Sequence, residues 1–152
     1  MSVVIGTLGD LAAMRRLGVA CGLEDDGRDD EGAVAAWGAY DGKRLVGAIA
    51  LERRDGLDTP NWLAVDERYR RRGLAAALYA ALEREAWARG VRRLWVTART
   101  PAFFLAQGYA PVPPGAECDV LLGSCLDCPQ YRQGCEPQAL TKRLEEAGTP
   151  CP

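Results

Sequence analysis

The chain has 152 residues, of which 48% are apolar and 26% are charged. This length suits one domain with a buried core and leaves little room for a second. The net charge of -2 argues against a nucleic-acid partner, because duplex binders normally carry a basic surplus over the whole domain. The absence of histidine excludes Ser-His, Cys-His and His-metal chemistry.

The amino-terminal residues show no charged leader with an apolar core, and no window reaches the roughly 18 apolar residues of a membrane span. We therefore expect a soluble cytoplasmic protein with no membrane partner. Residues 2–7 predict a strand, and Asp10 predicts the start of an amphipathic helix that runs to about Cys21. The apolar side of that helix carries Leu11, Met14, Leu17 and either Val19 or Ala20.

Two strands are predicted next, over residues 33–40 and 43–52. Asp41-Gly42 between them is a dipeptide typical of tight hairpins, so we expect antiparallel pairing. A connecting loop over residues 53–61 and a short apolar strand over residues 62–65 follow.

The strongest local signal is a run of arginines at the start of an alanine-rich helix predicted over residues 74–89. Arg68 and residues 70–72 lie where the helix macrodipole disfavours each cation by about 0.3–1 kcal/mol. Gly73 lets the backbone approach a ligand, and the N–H groups of the first turn have no partner within the helix. The pattern predicts a cradle for the phosphates of a small polyanion.

Leucines and alanine spaced four apart on this helix predict a buried stripe, and Gly90 predicts its end. Another strand is expected over residues 93–97, a short helix from Pro101 to Gln107, and the beginning of a last strand over residues 109–112. The helical stripe consists of Leu74, Leu78, Leu82 and Ala86. Together these elements predict an α/β fold with a mixed sheet flanked by helices.

The segment Arg70-x-x-Gly73-x-Ala75 after Leu63-Ala64-Val65 resembles the signature [QR]-x-x-G-x-[GA] of the GNAT superfamily of acyl-CoA-dependent N-acetyltransferases. Residues 101–109 are similar to the F-Y-x-x-x-G-F box of that family, and the resemblance extends from about Val3 to Val112. It implies a GNAT domain over residues 1–112, with residues 113–152 as a loop-rich, cysteine-containing extension packed on or next to it. Leu51-Glu52 resembles the Leu-Glu strand ending of members similar to N-acetylglutamate synthase and the arsenic-resistance-associated acetyltransferases.

The resemblance implies that acetyl-CoA is the cosubstrate, with its pyrophosphate on the loop and its pantetheine arm between two splayed central strands. It implies an oxyanion contact from the backbone N–H of about Val65. The coenzyme-binding residues implied are Leu63, Ala64, Val65, Arg70, Arg71, Arg72, Gly73, Leu74, Ala75 and Phe104.

An amine must lose a proton before it attacks a thioester, since its reference pKa is about 8 for an α-amine and about 10 for a lysine. Glu52 is the candidate base, because it closes the strand next to the expected thioester carbonyl. The alternative is an exposed strand-end carboxylate that pairs with Arg53 or Arg54. The tyrosine that reprotonates the thiolate in many members falls at Phe104, so the general acid is unassigned and water could serve.

Four cysteines in the extension follow the spacing C-x6-C-x2-C-x6-C: Cys118, Cys125, Cys128 and Cys135. Their thiolates could hold zinc or an iron–sulfur cluster, stay reduced, or form disulfides, and the spacing leaves all three open. A catalytically weak or inactive GNAT-fold protein that senses metal or redox state, or acts as an interaction module, is the alternative function.

The acceptor is the least defined part of the prediction. We favour a small free amine such as an amino acid, while a protein N-terminus or lysine stays open. The acidic run over residues 24–31 is either a solvated loop or a surface for a cationic substrate. Arg53, Arg54 and Arg99 could instead meet an acidic amino acid, and both a monomer and a homodimer fit the sequence.

Overall fold

The computed structural model describes residues 2–23, 32–98, 101–126 and 137–145. Its strands are β1 (Val3–Thr7), β2 (Ala33–Asp41), β3 (Arg44–Arg54), β4 (Leu57–Val65), β5 (Arg93–Ala98), β6 (Ala110–Pro111) and β7 (Gln138–Arg143). Its helices are α1 (Leu11–Ala20), α2 (Leu74–Ala88), α3 (Pro101–Ala106) and α4 (Ala116–Leu126), and a 3-10 turn covers Glu67–Tyr69. Among the described helices, none is long and apolar enough to cross a membrane.

The strands form two antiparallel sheets that meet at β4 and β5. The first sheet has the order β1-β2-β3-β4, and the second has the order β5-β7-β6. β4 and β5 lie in contact with each other, yet in the described part of the chain no ladder joins them. The predicted α/β fold is confirmed, with its sheet divided between these two strands.

Helices cover both faces of the first sheet. α2 packs on one face through Leu78 and Leu82, which are fully buried, so the predicted leucine stripe is confirmed. α1 packs on the other face through Met14, which is 1% exposed. Val19 and Ala20 are exposed, so their predicted place on the apolar side is wrong. At 100° per residue they lie about 140° and about 120° around the helix from Met14.

Both hairpins of the first sheet turn on glycines with a positive φ. Gly42, with φ of 60°, forms the predicted turn between β2 and β3. Asp55 and Gly56 follow with φ of 53° and 79°, the left-handed pair of a type I′ turn. The predicted loop over residues 53–61 is therefore wrong, because β3 and β4 continue through most of it. Glu52 consequently lies inside β3 rather than at its end.

β7 comes from the segment predicted as a loop-rich extension. It pairs with β5 on one side and β6 on the other, and Leu140 at its centre is fully buried. The prediction that the strand at residues 109–112 is the last is wrong, because the strand observed there has two residues and pairs with β7. The division of the chain at residue 112 stays a prediction about domain organisation.

Candidate functional site

The amino terminus of α2 lacks a side-chain cap. Gly73 occupies the N-cap position with φ of 74°, and the first turn contains no acidic residue. The helical ladder begins where the N–H of Ala77 donates to the Gly73 carbonyl at 3.0 Å. The backbone N–H groups of Leu74, Ala75 and Ala76 have no partner within the helix. A helix start built in this way presents its partial positive charge to an external anion.

The arginine loop, Arg70–Gly73, surrounds this helix start with positive charge. Arg70 donates from Nε to the carbonyl at the end of β4 at 3.0 Å, which fixes the loop to the strand. The Arg72 guanidinium lies over the Tyr69 ring, 5.2 Å from its centroid. Arg71 has φ of 64°, a left-handed conformation that is unusual for a side chain of this size. The structure thus brings the predicted phosphate-binding residues together at one point.

The end of β4 borders the gap between the two sheets. Leu63 and Val65 are half-buried on the side of α2, whereas Ala64 pairs with Ala48 on the side of α1. Because the described strands show no ladder between β4 and β5, backbone groups on this edge, apart from the Val65 carbonyl that accepts from Arg70, can bond a ligand that carries amides. This is the predicted position of the pantetheine arm.

β4 contains a bulge where it passes α1. Two of its residues, Trp62 and Leu63, face Ile49 alone. Trp62 has φ of 57°, and its ring is buried. Gly18 of α1 makes room for that ring, because a Cβ there would lie 2.6 Å from a ring carbon. The bulge is therefore held in place by the helix above it.

Glu52 is 2% exposed, the single buried charged side chain among the described residues. Its Oε1 accepts a hydrogen bond from Asn61 Nδ2 at 2.7 Å. Arg54 reaches Oε1 through Nε at 3.3 Å and Oε2 through Nη2 at 3.4 Å. The alternative of an exposed carboxylate is wrong, although pairing with Arg54 is confirmed. A buried ionisable group of this kind is a functional candidate, because removing a charged side chain from water costs free energy and such groups cluster at functional sites.

Glu52 and Val65 do not lie side by side. Glu52 is opposite Thr59 in the ladder between β3 and β4, and Val65 is opposite Gly47. At about 3.3 Å per residue, the five positions between Gly47 and Glu52 span roughly 16 Å. The structure therefore does not place both predicted catalytic groups around one reacting atom, and the bulge lies between them. Their roles stay predictions.

Phe104 belongs to a buried aromatic cluster with Tyr79, Phe103 and Tyr109, whose ring centroids are 5.2 to 6.3 Å apart. The Tyr79 hydroxyl donates to the Tyr109 hydroxyl at 3.0 Å. Burial, the largest cause, raises the pKa of both tyrosines. A phenol with a raised pKa is a weaker proton donor, so neither tyrosine readily replaces the acid that is missing at Phe104.

The described cysteine thiols are those of Cys21 and Cys118, and both are free; of the four cysteines predicted as metal ligands, Cys118 is the one whose side chain is described. Cys21 caps α1 and contacts the carbonyl at the end of β4 through Sγ at 3.6 Å, and Cys118 is half-buried on α4. Within the described residues, no group of three or more metal-ligating side chains is arranged to hold an ion. The zinc or iron–sulfur site therefore stays a prediction without structural support. The predicted features that lie outside the described residues or side chains are Cys125, Cys128, Cys135, Arg99 and the acidic run 24–31.

The sequence from residue 12 to residue 109 matches the acetyltransferase (GNAT) family. The chain belongs to this family. A similar solved structure is that of a Mycobacterium tuberculosis protein in complex with CoA, with a TM-score of 0.70 and 21% identity. The match covers 93% of this chain and 99% of that chain. No curated protein matches the chain.

Two other similar structures are enzymes with named activities. N-acetylglutamate synthase from Neisseria gonorrhoeae, complexed with coenzyme A and N-acetyl-glutamate, matches with a TM-score of 0.67 and 19% identity. The match covers 96% of this chain but 36% of the synthase chain. The ribosomal-protein-S18-alanine N-acetyltransferase from Escherichia coli matches with a TM-score of 0.70 and 19% identity, over 97% of both chains. At these identities the likeness shows a shared fold.

Proposed function

We propose that this GNAT protein is an N-acetyltransferase that moves an acetyl group from acetyl-CoA to the primary amine of a small molecule such as an amino acid. The observation that carries the proposal is the layout of β4. It passes the buried Glu52 carboxylate of β3 at Thr59 and continues through the bulge to Val65, from which a 3-10 turn and the arginine loop lead to the uncapped start of α2. A carboxylate suits proton removal, and the helix start suits a pyrophosphate. Residues Leu63–Val65 and Arg70–Ala75 would hold the coenzyme, with Phe104 beside it.

The reaction begins with transfer of a proton from the ammonium group to Glu52, directly or through a water. The free amine then attacks the thioester carbonyl carbon and forms a carbon–nitrogen bond. A backbone N–H of β4 between the bulge and Val65 stabilises the negative charge that develops on the carbonyl oxygen. The carbon–sulfur bond breaks, and the products are the amide and the coenzyme thiolate. Water can protonate this thiolate, because a thiol pKa of about 8–9 makes it a tolerable leaving group.

The named neighbours support an amine acceptor that is either a small molecule or a protein. One is named for N-acetylglutamate synthesis and the other for an alanine of a ribosomal protein. Glu52 is 2% exposed, which favours an acceptor slender enough to approach a buried carboxylate. We therefore place a free amino acid or another small amine ahead of a folded protein.

Calorimetric titration of the reduced protein with acetyl-CoA tests the first half of this proposal. We expect binding in the micromolar range or tighter. An assay of thiol release with acidic amino acids, polyamines and a peptide that begins with alanine tests the second half. Turnover with a free amine is expected. No binding would overturn the transferase assignment, and turnover of the peptide alone would overturn the small acceptor.

A further inference from the structure

Asn61 joins Glu52 to the β4 bulge through the two ends of its side-chain amide. Nδ2 donates to Glu52 Oε1 at 2.7 Å, and Oδ1 accepts from the backbone N–H of Trp62 at 2.8 Å. A flipped amide would set oxygen against the carboxylate and nitrogen against an N–H donor. The partners therefore fix the orientation of the amide.

The bond from Asn61 is the shortest that Glu52 accepts from the described residues. The contacts from Arg54, at 3.3 and 3.4 Å, are longer than the roughly 2.7–2.9 Å typical of a charged donor and carboxylate. A neutral amide, rather than the guanidinium, thus sets the direction of the carboxylate. Oε1 carries the short bond, while Oε2 has the longer contact with Arg54 and is the better placed to accept a proton.

The bulge gives Asn61 a rigid attachment point. Trp62 has φ of 57°, and its ring is buried against α1 at Gly18. The N–H of this strained residue is the one that Asn61 Oδ1 accepts. The amide is therefore anchored to a fixed part of the backbone and transmits that rigidity to Glu52.

We propose that Asn61 is a positioning residue that holds the Glu52 carboxylate with Oε2 available to the substrate amine. With Asn61 bonded to Oε1, the two contacts from Arg54 stay longer than those of a tight two-bond ion pair. The inference rests on the proposed function, because a fixed carboxylate direction matters to the rate only if Glu52 is the base.

Two substitutions separate the two bonds of Asn61. Asn61→Asp keeps an acceptor for the Trp62 N–H but replaces the donor to Glu52, whereas Asn61→Ala removes both. We expect each to lower kcat about tenfold or more while the Kd for acetyl-CoA stays within about twofold of the parent. Asp58→Ala changes the same strand on the opposite face and should leave kcat within about twofold. Thermal unfolding confirms that each variant is folded.

A double-mutant cycle distinguishes a positioning role of Asn61 from a purely structural role. In a Glu52→Gln background, Asn61→Ala should lower the residual kcat by less than about twofold, because the group that it positions is gone. A similar loss in both backgrounds would overturn the proposal. Full activity of Asn61→Ala beside an impaired Glu52→Gln would overturn this inference alone. Full activity of Glu52→Gln would overturn the base assignment, and the inference with it.

Discussion

The hydroxyl of Tyr79 donates a hydrogen bond of 3.0 Å to the hydroxyl of Tyr109 inside the aromatic cluster. Burial raises the pKa of both phenols in the folded state. Above the unfolded value of about pH 10, the unfolded chain therefore loses protons that the folded protein keeps. The stability contribution is complete below that pH and is lost as pH rises. We expect the free energy of unfolding to fall by about 1.4 kcal/mol per pH unit for each tyrosine.

Urea unfolding between about pH 8 and about pH 11 measures this loss. The Tyr79→Phe/Tyr109→Phe variant is the comparison, because the other ionisable groups are the same in both proteins. The variant should lose less stability over the alkaline range than the parent. Parallel curves would show that the tyrosine pair does not cause the loss.

Gly73 and Gly56 offer a matched pair of substitutions, with φ of 74° and 79° and no atom within 4 Å of an added Cβ. Alanine at either position should lower the free energy of unfolding by roughly 1–2 kcal/mol through left-handed strain. At Gly73 the methyl group also enters the proposed pyrophosphate site. We expect Gly73→Ala to weaken acetyl-CoA binding about tenfold or more and Gly56→Ala to leave it unchanged. Equal Kd values for the two variants, measured by calorimetry, would show that this loop does not bind the pyrophosphate.

Charge reversal tests the arginine loop. Arg70→Glu/Arg72→Glu replaces two exposed cations beside the α2 start with anions that repel a pyrophosphate. We expect the Kd for acetyl-CoA to rise about tenfold or more, and less so at high salt. Arg84→Glu/Arg89→Glu makes the same change in net charge further along α2 and should have little effect. If the two double variants bind acetyl-CoA with the same Kd, the effect depends on the net charge of the protein and not on the position of the arginines.

Substitution of the proposed base gives the most direct kinetic test. Glu52→Gln preserves size and can still accept the Asn61 bond through its amide oxygen, but it takes up no proton. We expect kcat for amine acetylation to fall about 10²-fold or more with the Kd for acetyl-CoA unchanged. Glu85→Gln on α2 removes an exposed carboxylate that pairs with Arg89 and serves as the control. A normal rate for Glu52→Gln would assign proton removal to water alone.

Phe104→Tyr returns a hydroxyl to the position where the family resemblance implies a proton donor. The ring is 8% exposed, so a hydroxyl without a partner would lower stability by about 1–3 kcal/mol. We expect kcat to rise, since the departing thiolate would gain a donor, and the melting temperature to fall. Steady-state kinetics and thermal unfolding of the same preparation measure both effects. An unchanged kcat would show that protonation of the thiolate does not limit the rate.

Local signals were sufficient to predict the region around α2. The left-handed Gly73, the arginines and the leucine stripe all act within a few residues of one another, so their meaning does not depend on distant partners. Asp55-Gly56 is a hairpin dipeptide of the same local kind. Gly56 and Pro60 also favour a loop, however, and a loop is what the sequence predicted there. A turn that matches the twist of its strands proved stronger than the tendency of those residues to end a strand.

The environment of Glu52 could not be predicted from local pattern. Asn61 reaches it only because the register between β3 and β4 sets the two residues on a diagonal of the ladder. The bulge that anchors Asn61 depends in turn on Gly18 of another element. Burial of Glu52 is likewise a property of the assembled sheet, which is why an exposed carboxylate was a reasonable alternative.

β7 also has a consequence for the order in which the molecule can be built. The strands from β1 to β4 each pair with their neighbours in sequence, two of these pairs being hairpins, and they can form soon after they leave the ribosome. β5, which borders the gap beside β4, receives its ladder partner only when residues 138–143 have been synthesised. Loop closure over this distance is slow compared with hairpin formation. The second sheet is therefore completed only after the first, and until β7 has been synthesised Leu94 and Val96 lack their ladder partners Lys142 and Leu140.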